Sequence, residues 1–157
     1  MSRVGDLKTA VIAALKAMPE LQGVDVTLSR SLRAPFLTFS RKRGVFVVYQ
    51  GWRAQGTGKQ FAGAPKKRNG FDRWAIIVMS ESFRSAADAF GQEGGSDELL
   101  DAVLDLRGFD AAPAGFSGTL HLEPEDADLT EGEEVVTAEG GGTVGYIVRF
   151  TSEPYSL

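Results

Sequence analysis

The sequence predicts an α+β fold: a single domain, with a largely antiparallel sheet, two principal helices and a long basic loop between two central strands. Three observations carry this. Residues 2–18 and 97–107 repeat apolar side chains at three- and four-residue spacing. Val45–Gln50 and Trp74–Met79 are apolar runs without alternation, too short for helices. The C-terminal third alternates apolar with polar residues between glycines and prolines. A chain of 157 residues buries roughly 70% of its unfolded surface, enough for one domain, 1–157, without disulfides or metal.

In chain order, Val4, Leu7, Val11, Leu15 and Met18 form the stripe of a first helix, widened by Ile12 and Ala14. Ser2 is its expected N-cap and Pro19 its exit. Val24–Leu28 alternates and reads as a half-buried strand, and Phe36–Phe39 as a short strand or extended edge. Arg41-Lys42-Arg43-Gly44 is a basic turn into the first central strand. Val45–Gln50 and Trp74–Met79 lack alternation, so each is expected to be covered on both faces. Val47, Ile77 and Val148 are expected in the core. Ser85–Gly91 offers one or two helical turns. Ser96 is the expected cap of the second helix, Arg107 its last turn and Gly108 its terminator, with Leu99, Leu100, Val103 and Leu104 as the stripe. Thr119–Leu122 reads as a strand broken by Pro124, residues 123–134 as an acidic loop, Val135–Thr137 as a short strand and Gly140–Gly142 as a turn. Val144–Thr151 is the last core strand, with Val144, Tyr146, Val148 and Phe150 on one face.

The segment 51–73 holds five glycines, one proline and six Lys or Arg. Loops of that length are functional or disordered more often than ordinary connections are. Its glycines leave the backbone free and its cations repel one another, so residues 51–70 are expected to be mobile in a free subunit and ordered on assembly. Trp52 and Phe61 would be the anchors and Arg53, Lys66, Lys67 and Arg68 the charged rim, with Lys59 a further interface candidate. Arg41, Lys42 and Arg43 stand at the base of this arm. Glu125, Asp126 and Asp128 are the matching acidic candidates.

The net charge of −4 conceals an asymmetry. Residues 1–84 carry 15 Lys/Arg against 5 Asp/Glu, a balance of +10, and residues 85–157 carry 2 against 16, a balance of −14. Either the fold interleaves the two halves and mixes the charges, or the subunit has a basic and an acidic side and docks head to tail with its copies.

Several chemistries fall away. There is no cysteine, which removes disulfides, thiolate metal sites and cysteine nucleophiles. Gly56-Thr57-Gly58-Lys59 is not a phosphate loop, because Arg53 stands where the first glycine belongs and Gln60 where Ser or Thr belongs. Phe61 breaks the dinucleotide pattern. Asp126-x-Asp128-x-Thr130 fails as a calcium loop at Glu131 and Thr137. His121 is the lone histidine, read as packed or surface, and the carboxylates of 123–134 as solvated. No catalytic signature is present; the reading is a non-enzyme without cofactor or metal. The amphipathic N-terminus does not resemble a signal peptide, and no apolar run approaches a membrane span, so a soluble cytoplasmic chain without membrane contact is expected. The composition of the basic arm also suits tracking of nucleic-acid phosphates, the alternative being an accessory protein that uses residues 51–73 to bind nucleic acid.

The amphipathic first helix, Val45-Phe46-Val47-Val48-Tyr49-Gln50-Gly51, the long polar loop, the strand Trp74–Met79, the Gly-rich link, Glu98-Leu99-Leu100-Asp101-Ala102-Val103 and the closing Tyr146-x-Val148-x-Phe150 follow one another in an order that resembles a known family. It is the Mu-like phage tail proteins placed between the head-completion and sheath genes, regarded as tail terminators. The resemblance spans most of the chain and excludes the loops Arg53–Arg73 and 123–134. It implies a structural virion protein at the head-proximal end of the tail, assembled in the host cytoplasm. It also implies a homo-oligomeric ring, typically a hexamer, that stops tube and sheath polymerisation and joins the head-completion or connector protein. DNA passing through such a ring would meet it without specific recognition, and the family has no cofactor.

Overall fold

The helix that opens the chain is built as its sequence directs, and it fixes which face of the sheet becomes the core. In the computed structural model, which describes residues 2–32, 34–35, 43–55, 69–82, 90–129, 135–136 and 142–156, α1 runs from Arg3 to Lys16. The Ser2 hydroxyl accepts the Gly5 N–H at 3.0 Å, satisfying one of the donors that a helix start leaves open. Leu7, Val11 and Leu15 are fully buried. A short 3₁₀ turn, Pro19–Leu21, follows.

The sheet is a single layer of eight described strands: β1 (Asp25–Leu28), β2 (Arg43–Ala54), β3 (Asn69–Ser82), β4 (Gly108–Asp110), β5 (Thr119–Leu129), β6 (Val135–Val136), β7 (Gly142–Ser152) and β8 (Tyr155–Ser156). Their spatial order is β1-β2-β3-β7-β5-β4, with β6 beside β7 and β8 beside β3. Only β1 and β2 are parallel; β2/β3, β3/β7, β5/β7 and β4/β5 are antiparallel. The second helix, α2 (Ser96–Leu104), lies with α1 on one face. There Leu7, Val11, Leu15, Leu99 and Val103 pack on Val45, Val47, Trp74, Ile76, Val78, Val148 and Phe150. Each such side chain contributes about 1.5–3 kcal/mol through burial. On the other face Val48, Ala75, Ile77 and Met79 form a second buried cluster, with Leu32, Phe46 and Ile147 at its margin. The central strand β3 is therefore covered on both faces, as its unbroken apolar run predicts. Val47, Ile77 and Val148 are all buried. No helix among the described residues is long and apolar enough to cross a membrane.

Four expectations are corrected. The central strands are much longer than their apolar runs: β2 continues through Trp52 and Arg53, and β3 begins at Asn69. Asn69–Arg73 reads as loop because the buried positions of this end of β3 are Gly70 and Asp72 rather than apolar side chains, so the sequence shows no apolar alternation. Gly51, at φ +104°, follows the register shift after Tyr49, a left-handed bulge conformation that glycine adopts without strain. Second, β5 does not break at Pro124 but runs to Leu129, so much of the acidic loop is strand. Pro124 sits beside a register shift, where a missing ladder donor is tolerated, and charge is common on edge strands. Third, Ser96 is not the cap. Gly95 occupies the N-cap, and the Ser96 hydroxyl turns inward to the Ser80 hydroxyl at 2.7 Å, each buried group satisfying the other. Fourth, α2 ends at Leu104, and Gly108 opens β4 instead, where a Cβ would lie 2.7 Å from the Leu120 carbonyl. Leu28, expected in a half-buried strand, is 47% exposed at the rim of the sheet. The expected strand at 36–39, residues 85–89 of the expected helical turns, residues 56–68 of the arm, residues 130–134 of the acidic loop, Thr137 and residues 140–141 lie outside the described residues.

Candidate interaction surface

The acidic candidates are arranged by the alternation of β5. Asp126 and Asp128 stand on one face, opposite Arg149 and Ile147 of β7. The Arg149 guanidinium donates to both, at 3.0 Å to Asp126 Oδ1 and 3.0 Å to Asp128 Oδ2. The bond to Asp126 raises the Arg149 pKa, its partial burial opposing. Glu125 is the extra residue at the register shift between Pro124 and Asp126. Every side chain from Glu123 to Leu129 is exposed. Beside this stretch an open cavity of about 500 Å³ is lined by Phe71, His121, Glu123, Glu125, Thr151 and Glu153. It is an acidic concavity floored by the sheet. His121 is exposed, and Glu153 accepts its backbone N–H at 3.0 Å.

The two described basic candidates, Arg43 and Arg53, stand apart. Arg43 starts β2 and Arg53 lies near its end, roughly 30 Å away along an extended strand. Arg43 is half-buried and faces the chain's own acids, in a cavity of about 380 Å³ shared with Glu20, Glu98, Asp101 and Asp105. Its guanidinium lies over Gly94, where a Cβ would collide with it. Arg53 is exposed. Trp52 is not a free anchor: its indole covers Gly70 so closely that any Cβ there would overlap the ring, and its N–H is buried. Arg41, Lys42, Lys59, Phe61, Lys66, Lys67 and Arg68 lie outside the described residues.

Sequence reasoning missed a polar clasp under α1, on the half of the β2–β3 hairpin nearer its turn. Asp72 is fully buried. It accepts the hydroxyls of Tyr49 and Tyr155, each at 2.5 Å, and lies 3.9 Å from the Arg3 guanidinium, which also donates to the Tyr155 hydroxyl. The Asp72 N–H is bound by the Ser152 hydroxyl at 2.9 Å. Four elements, α1, β2, β3 and β8, thus meet on one carboxylate. Burial, reinforced by the bonds to Asp72, pushes both phenols well above their usual pKa. Tyr146 is pushed up to about 12, first by burial and then by its bond to Asp97. The signal was present in Asp72, an acid two residues before an apolar run, but the composition around it reads as loop. Among the described residues no group of three or more His, Asp or Glu is placed to hold a metal ion.

The two halves of the chain take separate parts of the sheet. The basic half of the chain supplies β1, β2 and β3, and the acidic half supplies β7, β5 and β4. In the sheet these occupy opposite sides, so the strands of the two halves are not interleaved.

No family model matches the sequence, and no curated protein matches it. Among solved structures, a chain of the "Virion of native gene transfer agent (GTA) particle" aligns with 96% of this chain and 96% of its own length, at 16% identity and a TM-score of 0.47.

Proposed function

We propose that this chain is a structural protein of a phage-type virion, a tail terminator that assembles into a ring, caps the tail tube and sheath, and presents the surface that joins tail to head. The observation that carries the reading is the exposed acidic stretch Glu123–Asp128 on β5, in a chain whose first 84 residues carry a balance of +10. A subunit with unlike sides docks head to tail, and such heterologous contacts close into rings. The order of elements along the sequence, shared with the tail-terminator pattern, supports the place in the tail. The oligomer that the resemblance implies is a hexamer. Its partners are itself, the tube and sheath proteins and the head-completion protein, and it has no enzymatic role. The exposed acids Glu125, Asp126 and Asp128 and the basic residues Arg41, Lys42, Lys59, Lys66, Lys67 and Arg68 are its contact candidates. Trp52 is engaged within the hairpin, which takes one of two aromatics away from base stacking and leaves the nucleic-acid reading weaker.

Light scattering of the purified protein, alone and with tail tubes, tests this, with electron microscopy of the tubes. The expected result is a ring in solution or on the tube, capping one end and halting growth. A stable monomer that ignores tubes and binds DNA tightly would overturn it.

A further inference from the structure

Past Leu122 the outer edge of β5 is bare. β4 pairs with β5 at Thr119–His121, and the Arg107 carbonyl accepts the Leu122 N–H. Glu123–Leu129 is paired with β7 alone. An unpaired edge is a template for a further extended segment. The two faces of this edge differ. Pro124, Ala127 and Leu129 stand opposite Phe150, Val148 and Tyr146, on the side of the sheet that carries the helices. All three are nevertheless exposed, because α2 packs on β3 and β7. Asp126 and Asp128 stand on the other face and share Arg149. With Glu123 and Glu125, the edge holds four acids to one close cation among the described residues.

Charge selects the occupant. A second β5 would bring the same acids against these, and like charges across a ladder destabilise it. The short outer strands β1 and β4 carry Asp25 and Asp110 as their only charges, which also repel the edge. Of the segments outside the described residues, 56–68 has the largest positive balance. It holds Lys59, Lys66, Lys67 and Arg68 without an acid, and Phe61 is its one large apolar side chain.

Reach decides whose segment it is. Asp126 is level with Ala75 of β3, through Arg149 of β7. Asn69 starts β3, roughly 20 Å back along the strand from Ala75, and the two strand spacings from β3 to β5 add about 10 Å sideways. Lys66 precedes Asn69 by a backbone reach of only about 10 Å. The run Lys66–Arg68 therefore falls short of Asp126 in its own subunit, and Asp128 is farther still.

We propose that Glu123–Leu129 is the docking edge for the basic segment 56–68 of a second copy of this chain. Its cations meet Glu123, Glu125, Asp126 and Asp128, and Phe61 covers the apolar side at Ala127 and Leu129. This deepens the ring reading and rests on it, since each subunit then offers its segment to one neighbour and its edge to the other.

The chain has no cysteine, so Ala64→Cys and Ala127→Cys can be joined specifically with a short flexible bismaleimide, and neither change removes a charge. The expected result is a covalent dimer on mixing the two single variants, and a ladder of multimers from the double variant. Adding Lys66→Ser, Lys67→Ser and Arg68→Ser to the Ala64→Cys protein should lower the yield of mixed dimer about tenfold. An unchanged yield would overturn the charge pairing and the proposal with it. A covalent dimer from Ala127→Cys alone shows isologous pairing of the edge and overturns the proposal. So does a double variant that closes on itself as a monomer while the mixture gives no dimer, which puts the segment on its own subunit. Absence of any adduct while light scattering shows an oligomer gives the edge to another occupant, overturning this contact and leaving the ring standing. A monomer in scattering, both alone and with tail tubes, overturns the contact and the ring together.

Discussion

At Asp72 a buried carboxylate is held by two phenols at 2.5 Å and by the Arg3 guanidinium at 3.9 Å. Hydrogen bonds to a charged group contribute about 1.5–3 kcal/mol each, and the donors replace water that burial removes. Lys8 and Arg3 lie over the Tyr49 and Tyr155 rings, at 5.8 and 5.4 Å from the centroids, so the clasp is also closed from above by α1. Its pH dependence follows from the phenols. Their folded pKa values are raised above the usual value of about 10. Below that value the phenol is protonated in both states and its stabilising bond is fully present. As pH rises through the folded values the contribution is lost, because the unfolded chain releases the proton first. Urea unfolding between about pH 9 and 11 should show stability falling above pH 10. In Tyr49→Phe/Tyr155→Phe the fall should be shallower, from a baseline lower by roughly 3–6 kcal/mol. An unchanged alkaline slope in the double variant would mean that these phenols do not titrate on unfolding.

Among the elements, the β2–β3 hairpin is where composition and structure part most clearly. Its pairing continues to Ala54 opposite Gly70, and the Gln55 N–H still reaches the Asn69 carbonyl at 2.8 Å. The arm is therefore at most residues 56–68, far shorter than the basic segment suggests. Replacing 56–68 by an Asn-Gly turn should leave a folded protein, more stable by about 1–2 kcal/mol, since each halving of a loop relieves only about 0.6 kcal/mol of closure entropy. Ring formation or tail capping should be impaired if the cations of that segment bind a neighbour; normal assembly would make it a passive connection. The buried parts were legible because burial imposes a pattern: the stripe Leu7-Val11-Leu15, the unbroken Ile76-Ile77-Val78, and Val148 and Phe150 on one face of β7. The turn end of the hairpin was not legible because its buried positions in β3 are Gly70 and Asp72, and the second half of β5 because Glu123–Leu129 is exposed throughout and carries no periodicity to read. Asp126 and Asp128 gave the one hint, two acids spaced to share a strand face with a later Arg149. Ser96 misled because a serine before two acids has the same composition whether it caps the helix or bonds across the core.

For the whole molecule, the strands of each half of the chain stay together in the sheet, but charge does not simply follow them. Within β1, β2 and β3, Arg43, Arg53 and Arg73 are matched in number by Asp25, Asp72 and Glu81, Arg43 faces Glu20, Glu98, Asp101 and Asp105 of its own subunit, and α1 packs toward β4. The acids Glu123, Glu125, Asp126 and Asp128 nevertheless form an exposed row with Arg149 as their one close cation among the described residues. Such a row acts over about a Debye length, near 8 Å at physiological salt and 3 Å at 1 M. Its effect should fall on association more than on folding, since solvent-exposed pairs contribute little to stability. Two measurements separate these. The unfolding midpoint of the free subunit should shift little between low and high salt, whereas the dissociation constant for subunit association or tube capping should weaken by roughly tenfold, about 1.4 kcal/mol. Glu125→Lys with Asp128→Lys should weaken association at low salt and lose most of the salt dependence, because the variant row no longer complements a basic neighbour. Association that is equally tight at both salt concentrations would mean that apolar contact and strand pairing hold the subunits together without help from charge. The same two substitutions would then be without effect.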